Sequence, residues 1–124
     1  MLWRRSPYLW LPGNYREKNS MKFIFEVLLD PGFTAEEYAQ NWVKASEIIQ
    51  QNPGANGTYL HRDLNWPDRL LAIAHWDSRE ARDEKDDNKS ELVRTILAEH
   101  AKKCQINVIG EFDEPEWSVC LKKP

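Results

Sequence analysis

Several side chains that could take part in chemistry lie in one stretch, YLHRDLNWPDRLLAIAHWDSREA at 59–81. This stretch contains His61 and His75, whose imidazoles can accept or donate a proton near neutral pH. It also contains Tyr59 and Trp76, which combine an apolar ring with one polar group. These residue types suit proton transfer to or from an organic substrate, but they are equally common in the core of a β-hairpin.

Motifs for metal or nucleotide chemistry are absent from the sequence. Cys104 and Cys120 form neither a CxxC pair nor a metal-ligand spacing. The chain contains no HExxH, phosphate loop, dinucleotide fingerprint or nucleophile elbow. We therefore expect no metal ion and no cofactor, and neither a hydrolase nor a nucleotide-dependent enzyme is supported.

The composition indicates one globular domain. The chain has 124 residues and a formal net charge of −3, which provides no basic face for nucleic acid. No apolar run approaches the ~20 residues of a membrane span. Ser6, Pro7 and Pro12 interrupt the apolar N-terminal stretch, so we expect no signal peptide. Together with the two cysteines, these features predict a cytoplasmic protein that does not bind membranes.

Three segments differ in character. Residues 1–20 are rich in arginine and proline, and are interpreted either as an arm or as the result of an upstream start codon before Met21. Residues 21–112 carry the regular patterns of the domain. Residues 113–124 form a C-terminal tail in which WSVCLK, 117–122, alternates well enough for a short strand.

Hydrophobic periodicity predicts the elements of the domain. Strands are expected at 22–29, 58–64, 69–76 and 105–112. Thr34 and Glu37 form a capping box, and an apolar stripe containing Tyr38 and Trp42 continues the first helix to Asn52-Pro53-Gly54. A second helical region is expected from about 79 to 103, with a break near Asn88.

A four-residue loop, 65–68, would fix the register of the central hairpin. Leu64 would then face Arg69, His61 would face Ala72 and Tyr59 would face Ala74. In this register Tyr59, His61 and Trp76 share the face that the helices cover.

The element order predicts an α+β, ferredoxin-like βαββαβ antiparallel sheet with both helices on one face. The other face is apolar, and a face of that size is not left in water. We therefore expect a homodimer in which two sheets form a dimeric α+β barrel, and in which the C-terminal strand could pair with the partner. The residues expected at this interface are Ile24, Leu28, Leu60, Leu71, Ile73 and His75.

The run from Met21 to Phe112 resembles the antibiotic biosynthesis monooxygenase family of dimeric α+β-barrel proteins. The resemblance rests on the FIFEVLLDPG opening, the helix with Tyr38 and Trp42, and LAIAHWDSREA with Trp76-Asp77-Ser78. It implies a ligand cavity between sheet and helices. The family includes cofactor-free oxygenases, haem-degrading enzymes and members of unknown role, so the resemblance is more specific for fold than for function.

Within this resemblance, a cofactor-free monooxygenase would bind a small apolar, aromatic substrate such as a phenol or quinol. His61 or His100 would be the base, and Tyr59 or Trp76 a hydrogen-bond donor. The substrate-binding walls would be formed by Phe25, Val27, Tyr38, Trp42 and Leu97. The prediction is that Trp76→Phe or His61→Ala lowers turnover without unfolding the dimer.

Each of these residues also has a structural interpretation. Tyr38 and Trp42 lie on an apolar stripe and could be ordinary core residues. His61 could lie near solvent at a strand edge, and His100 could be a hydrogen-bonded histidine on a helix. The alternative function is therefore a non-catalytic small-molecule-binding or structural dimer whose cavity is filled core.

Haem degradation is the least favoured function. In that branch the resemblance implies an asparagine on the first strand, the third-strand tryptophan and a histidine on the following helix. Trp76 matches, but Val27 takes the asparagine position, and residues 85–88 contain no histidine. We therefore expect no haem binding.

Overall fold

The computed structural model describes residues 20–84 and 90–121, which form four strands and three helices. In chain order these elements are β1 Met21–Leu29, α1 Ala35–Ile49, β2 Ala55–Arg62, β3 Arg69–Trp76, α2 Arg79–Glu84, α3 Glu91–Ala101 and β4 Cys104–Asp113. The sheet order is β2-β3-β1-β4, and all neighbouring strands are antiparallel. This is the predicted α+β, ferredoxin-like arrangement, and it contains the four strands expected for the domain.

The ends of α1 follow its sequence signals. The Thr34 hydroxyl accepts a hydrogen bond from the backbone N–H of Glu37 at 3.1 Å, and the Glu37 carboxylate accepts one from the Thr34 N–H at 2.9 Å. This is the predicted capping box, and it satisfies two N–H groups that the helix leaves free. At the other end, the Asn52 side chain donates to the carbonyl of Ile49 at 2.9 Å.

Alternation along β1 and β3 divides the sheet into two faces. The helix-side face carries the buried side chains of Val27, Leu29, Leu70, Ala72 and Trp76. Tyr38 and Ala35 of α1 pack against the first three of these. A second cluster joins α1 to α3 through Ala45, Val93 and Ile96. The core therefore lies between the sheet and the helices.

The second helical region consists of two helices. Ser90 has an extended backbone, and its hydroxyl accepts from the N–H of Val93 at 3.1 Å, so α3 has its own N-cap. α2 packs on the sheet through Arg82, whose guanidinium lies 4.1 Å from the centre of the Phe23 ring. Asn88, the predicted break, lies outside the described residues.

The opposite, open face of the sheet carries Ile24, Leu28, Leu71, Ile73 and His75, all half-buried. Their pairing across β1 and β3 confirms that they share one face. The prediction for Leu60 is wrong, because Leu60 pairs with Ala72 and packs against the helix-side core.

The charges on the open face are paired within the chain. The Glu26 carboxylate accepts from Arg69 at 2.8 Å and from Asn107 at 2.9 Å, and these hydrogen bonds lower its pKa. Arg69 also bonds to Asp63 at 2.8 Å.

The predictions for the two terminal segments differ in how far the structure tests them. Residues 1–19 lie outside the described part of the chain, so neither interpretation of the N-terminal segment is tested. In residues 114–121, where the predicted last strand begins, the chain forms no strand. Pairing of this segment with a second copy stays a prediction.

Candidate functional site

A buried cage of three rings lies where the end of α3 meets the start of α1. We define the His100 cage as Phe33, Tyr38 and His100. The His100 ring stacks on Tyr38 with 4.3 Å between ring centres and an interplanar angle of 28°. The Phe33 ring centre lies 6.1 Å from that of His100 and 6.3 Å from that of Tyr38. Only 2% of the surface of His100 is exposed.

Local sequence positions each ring. Thr34 is the N-cap of α1, so Phe33 is the residue before the cap and Tyr38 is the fourth helical residue. A contact between these two positions is a hydrophobic staple, which fixes the direction in which the chain enters the helix. In α3, the spacing of Val93, Ile96 and His100 puts all three on the buried side of the helix.

Neither ring nitrogen of His100 has a hydrogen-bond partner in the described structure, and both atoms are buried. Burial lowers the pKa of His100, and the nearby positive charge of Lys103 lowers it further. The imidazole is therefore neutral at pH 7, with one nitrogen free to accept a proton. Such a group can act as a general base toward a hydroxyl that reaches it.

The neighbours of His100 do not compete for that proton. Burial raises the pKa of Tyr38 well above its ordinary value, so its phenol stays protonated. Burial also raises the pKa of the Cys104 thiol, which donates to the His100 backbone carbonyl at 3.1 Å. Both of these groups therefore stay protonated near neutral pH, and the neutral imidazole of His100 is the proton acceptor beside them.

The other residues predicted on the helix side are divided between core and surface. Val27 is fully buried, and Phe25 and Trp42 pack against the same core cluster as Tyr38. Leu97 is 43% exposed and forms no wall of a closed site. Trp76 is buried, but it lies six strand residues from Leu70 of that cluster, or roughly 20 Å of backbone. The structure therefore separates Trp76 from His100.

The predicted faces of Tyr59 and His61 are wrong. Tyr59 pairs with Ile73 and His61 pairs with Leu71, which places both on the open face. There the Tyr59 ring meets His75 edge to face, with 5.3 Å between ring centres. The sheet itself stands between these residues and His100.

The physical reason for this error is one residue in the hairpin loop. The Asp63 carboxylate accepts from the backbone N–H groups of Asn65 and Trp66, at 2.7 and 2.9 Å. Asp63 therefore ends the ladder, with its N–H donating to the carbonyl of Arg69 at 3.1 Å, and the loop is 64–68. A shift of one residue moves every side chain of β2 to the other face.

An open cavity of about 460 Å³ adjoins the cage at the end of the sheet. We call it the hairpin cavity. Its apolar wall is formed by Leu29, Phe33, Ala35 and Pro67, and its polar rim by Thr34, Glu36, Arg62 and Asp68. The backbone carbonyl of Asp68 accepts from the N–H of Leu29 at 2.8 Å, which holds the hairpin loop against the end of β1.

The rim of this cavity carries three charged groups. Arg62 donates to Glu36 at 2.9 Å, and this pair is exposed to solvent. A backbone N–H and the Arg62 guanidinium lower the pKa of Glu36, so it stays ionised at neutral pH. Among the described residues, the rim thus has two carboxylates and one guanidinium, which gives it a net charge of −1.

Sequence reasoning missed Phe33 and the hairpin cavity. The signal for Phe33 was present, because an aromatic residue before an N-cap with another at the fourth helical position indicates a staple. The cavity has no such signal, since it depends on how the hairpin loop lies against the end of β1.

Two further classes of site are absent from residues 20–84 and 90–121. No cluster of three or more His, Cys, Asp or Glu side chains there is placed to hold a metal ion. No helix in this part of the chain has both the length and the apolar character needed to cross a membrane. Residues 85–88, where the haem-degrading branch would have its histidine, lie outside the described residues.

Comparison with known proteins relates the chain to others through structure alone. No protein-family model matches the chain, and no curated protein matches its sequence. SnoaB from Streptomyces nogalater, a cofactor-independent oxygenase, is 12% identical, with a TM-score of 0.65 over 86% of this chain and 98% of SnoaB.

Two other solved structures show the same similarity. A candidate antibiotic biosynthesis monooxygenase from Nitrosomonas europaea has a TM-score of 0.67 at 11% identity, over 77% of this chain and 90% of that one. A Bacteroides thetaiotaomicron protein of unknown function, described as a possible oxidoreductase, has a TM-score of 0.66 at 8% identity, over 78% and 99%. The chain therefore has the fold found in structures of the antibiotic biosynthesis monooxygenase type, the family that its sequence resembles.

Proposed function

We propose that the protein is a cofactor-independent oxygenase that acts on a small aromatic substrate carrying a phenolic hydroxyl. The single observation that carries this proposal is His100, a neutral imidazole buried among aromatic rings with both nitrogens unpartnered. A buried polar group without a partner costs free energy, and such groups are uncommon outside functional sites. The shared fold with a cofactor-independent oxygenase supports the same reaction class.

The chemistry requires only a base, an apolar enclosure and dioxygen. His100 takes the proton from the substrate hydroxyl, and the phenolate passes one electron to dioxygen. The two radicals combine, which forms a bond between a ring carbon and oxygen, and the imidazolium returns its proton to the terminal oxygen. The hydroperoxide then loses the hydrogen of that ring carbon and breaks its O–O bond. The net products are a quinone and one water from one phenol and one dioxygen.

His100 is a better base for this reaction than His61. His61 is exposed and lies on the face of the sheet away from the cage. Tyr38 stacks on His100 and would orient the imidazole. Trp76 is buried but does not belong to the core cluster that contains Tyr38, and we propose that it is a core residue.

Oxygen uptake tests this function. The purified protein would be supplied with a panel of phenols and quinols, and dioxygen loss would be followed together with quinone formation. We expect equimolar uptake and product, lost in His100→Gln and retained in the matched variant His61→Gln. Equal turnover in both variants would remove His100 from the reaction.

One observation favours the alternative, a non-catalytic binding or structural protein of the same fold. Trp76 and His100 are each 2% exposed, and Trp42 packs against the core, so the region between sheet and helices is closed. The two functions differ in turnover. Saturable binding of phenols without any dioxygen uptake would favour the alternative.

We also propose that the open face is the interface of a homodimer. Its apolar residues Ile24, Leu28, Leu71 and Ile73 are continuous across β1 and β3, and the half-buried Glu26 beside them is already paired within the chain. A second copy is the occupant that a self-complementary face of this kind fits. Light scattering at micromolar concentration should give the mass of a dimer, and a monomeric mass would contradict this proposal.

A further inference from the structure

The hairpin cavity and the His100 cage share one wall. Phe33 lines the cavity and also packs against Tyr38 and His100. Leu29 and Ala35 line the same cavity and belong to the core cluster that includes Tyr38. The Phe33 side chain thus borders both the cavity and the unpartnered imidazole.

Phe33 is less buried than the other apolar residues of the shared wall. It is half-buried, whereas Leu29 and Ala35 are buried. It packs against the core cluster that contains Tyr38 and against His100, and the Lys103 amine lies 5.3 Å from its ring centre. A rotation of Phe33 about its first side-chain torsion would leave the backbone of the α1 cap in place.

The cavity selects by size and by charge. Its volume of about 460 Å³ is within the range of small-molecule sites. Its wall is apolar and suits a flat ring, and the net negative rim disfavours an anion. Behind Phe33, the acceptor nitrogen of His100 would be satisfied by a hydroxyl group.

We infer that the hairpin cavity is the docking site of the substrate, that it takes a flat, neutral phenol, and that rotation of Phe33 brings the phenol hydroxyl to His100. The inference rests on the proposed function for the role of His100. Docking itself does not depend on turnover, so the two can be tested separately.

The first experiment is an NMR titration of uniformly ¹⁵N-labelled protein with 2-naphthol, in which both backbone amides and histidine ring nitrogens are followed. We expect saturable shifts of the His100 ring signals and of the backbone amides of Ala35 and Asp68. The ring signals of His61 and His75 serve as internal controls and should not move. Shifts at the cavity amides without any at His100 would overturn the connection through Phe33, and shifts confined to other regions would overturn the cavity as the site.

A charge comparison tests the selectivity of the rim. The 2-naphthoate anion has a ring system of the same size but carries a carboxylate. We expect naphthoate to bind about tenfold more weakly than naphthol, as repulsion by one uncompensated charge would produce. Tighter binding of naphthoate would mean that Arg62 leaves Glu36 to bind anions, and it would overturn the assignment of a neutral ligand.

A matched pair of substitutions on α1 tests the position of the site. Glu36 and Glu47 are both exposed residues of this helix, but only Glu36 lines the cavity. Glu36→Trp should weaken naphthol binding about tenfold by filling the cavity mouth, whereas Glu47→Trp should not change it. Equal affinities of these two variants would overturn the cavity as the docking site.

A second pair of substitutions tests whether the Phe33 ring shields His100 from the cavity. Phe33→Leu keeps an apolar staple residue but removes the ring, so diethyl pyrocarbonate should modify His100 faster than in the unchanged protein. Phe23→Leu makes the same change on the helix-side face beneath Arg82 of α2 and should leave that rate unchanged. Equal rates in the two variants would overturn the role of Phe33. If naphthol binds as expected and no oxygen is consumed, the proposed function fails while the docking site stands.

Discussion

On the open face of the sheet, Glu26 lies beside apolar residues, and both of its carboxylate oxygens have partners in Arg69 and Asn107. Between the sheet and the helices, His100 is more deeply buried, and neither of its ring nitrogens has a partner among residues 20–84 and 90–121. An unpaired buried polar group costs about 1–3 kcal/mol, so the second arrangement is unfavourable for stability alone. We therefore expect an apolar partner surface to cover the open face and, under the proposed function, a hydroxyl-bearing ligand to reach His100.

The largest effect expected from this comparison is at two neighbouring residues of β3. Ala72 is fully buried on the helix-side face, and Ile73 is half-buried on the open face. Ala72→Lys would bury an unpaired ammonium group and should prevent folding, whereas Ile73→Lys should leave a folded protein of monomeric mass. Circular dichroism and light scattering would measure both. A folded Ala72→Lys protein would contradict the burial of Ala72. A dimeric Ile73→Lys protein would contradict the proposed interface on the open face.

A smaller effect is expected at two tryptophans. Trp76 is 2% exposed on the helix-side face, and Trp66 is 61% exposed in the hairpin loop. Trp76→Ala should lower the free energy of unfolding by about 3–5 kcal/mol because it leaves a cavity in the core. Trp66→Ala should change it by less than about 0.5 kcal/mol. Urea unfolding followed by circular dichroism measures the two values, and similar losses would contradict the burial of Trp76.

His100 should behave as a functional residue that lowers stability. His100→Leu replaces an unpartnered polar ring with an apolar side chain, so we expect the free energy of unfolding to rise by about 1 kcal/mol or more. The same variant should lose oxygen uptake. A marked loss of stability would instead show that the imidazole has a partner or a packing role, and urea unfolding distinguishes these outcomes.

The smallest predicted effect is a pH dependence of stability. Burial lowers the pKa of His100 in the folded protein, whereas in the unfolded chain it titrates near its ordinary value of 6.5. Below that pH the unfolded state binds more protons, so the free energy of unfolding should fall as the pH decreases from about 6.5 toward the lower folded pKa. Glu26, Glu37 and Asp63 have lowered pKa values and lose their stabilising contribution only at more acidic pH.

Unfolding by urea at about pH 7.5 and about pH 5.5 isolates this dependence. His100→Leu should remove most of the difference between the two conditions. His61→Gln, on the open face, should retain it. A dependence that persists in His100→Leu would assign it to other groups.

Local signals predicted much of the fold. The capping box at Thr34 and Glu37 places the start of α1, and the alternation of apolar residues in β1 and β3 places both faces of those strands. The order of the elements then leaves few topologies that bury the apolar faces, and the ferredoxin-like sheet is one of them. Ile96 and His100, four residues apart, lie together on the buried side of α3.

The site could be predicted only in part. His100 and Tyr38 were among the expected residues, but their stacking joins two helices that are distant in sequence. Tyr59 and His61 were assigned to the wrong face because the side chain of Asp63 lengthens the hairpin loop by one residue. A hydrogen bond between side chain and backbone thus decided the environment of all of β2.

The sequence by itself determined the helices and strands of the domain, the fold, and which side chains of β1 and β3 share a face. These features depend on hydrophobic periodicity and on contacts between neighbouring residues of the chain. Only the tertiary structure decided the register of β2, the separation of Trp76 from His100, and the hairpin cavity beside Phe33. These features depend on how a loop packs against a strand end and on which rings meet across elements. Such packing depends on all the side chains of the core together, so the spacing of residues along one element does not predict it.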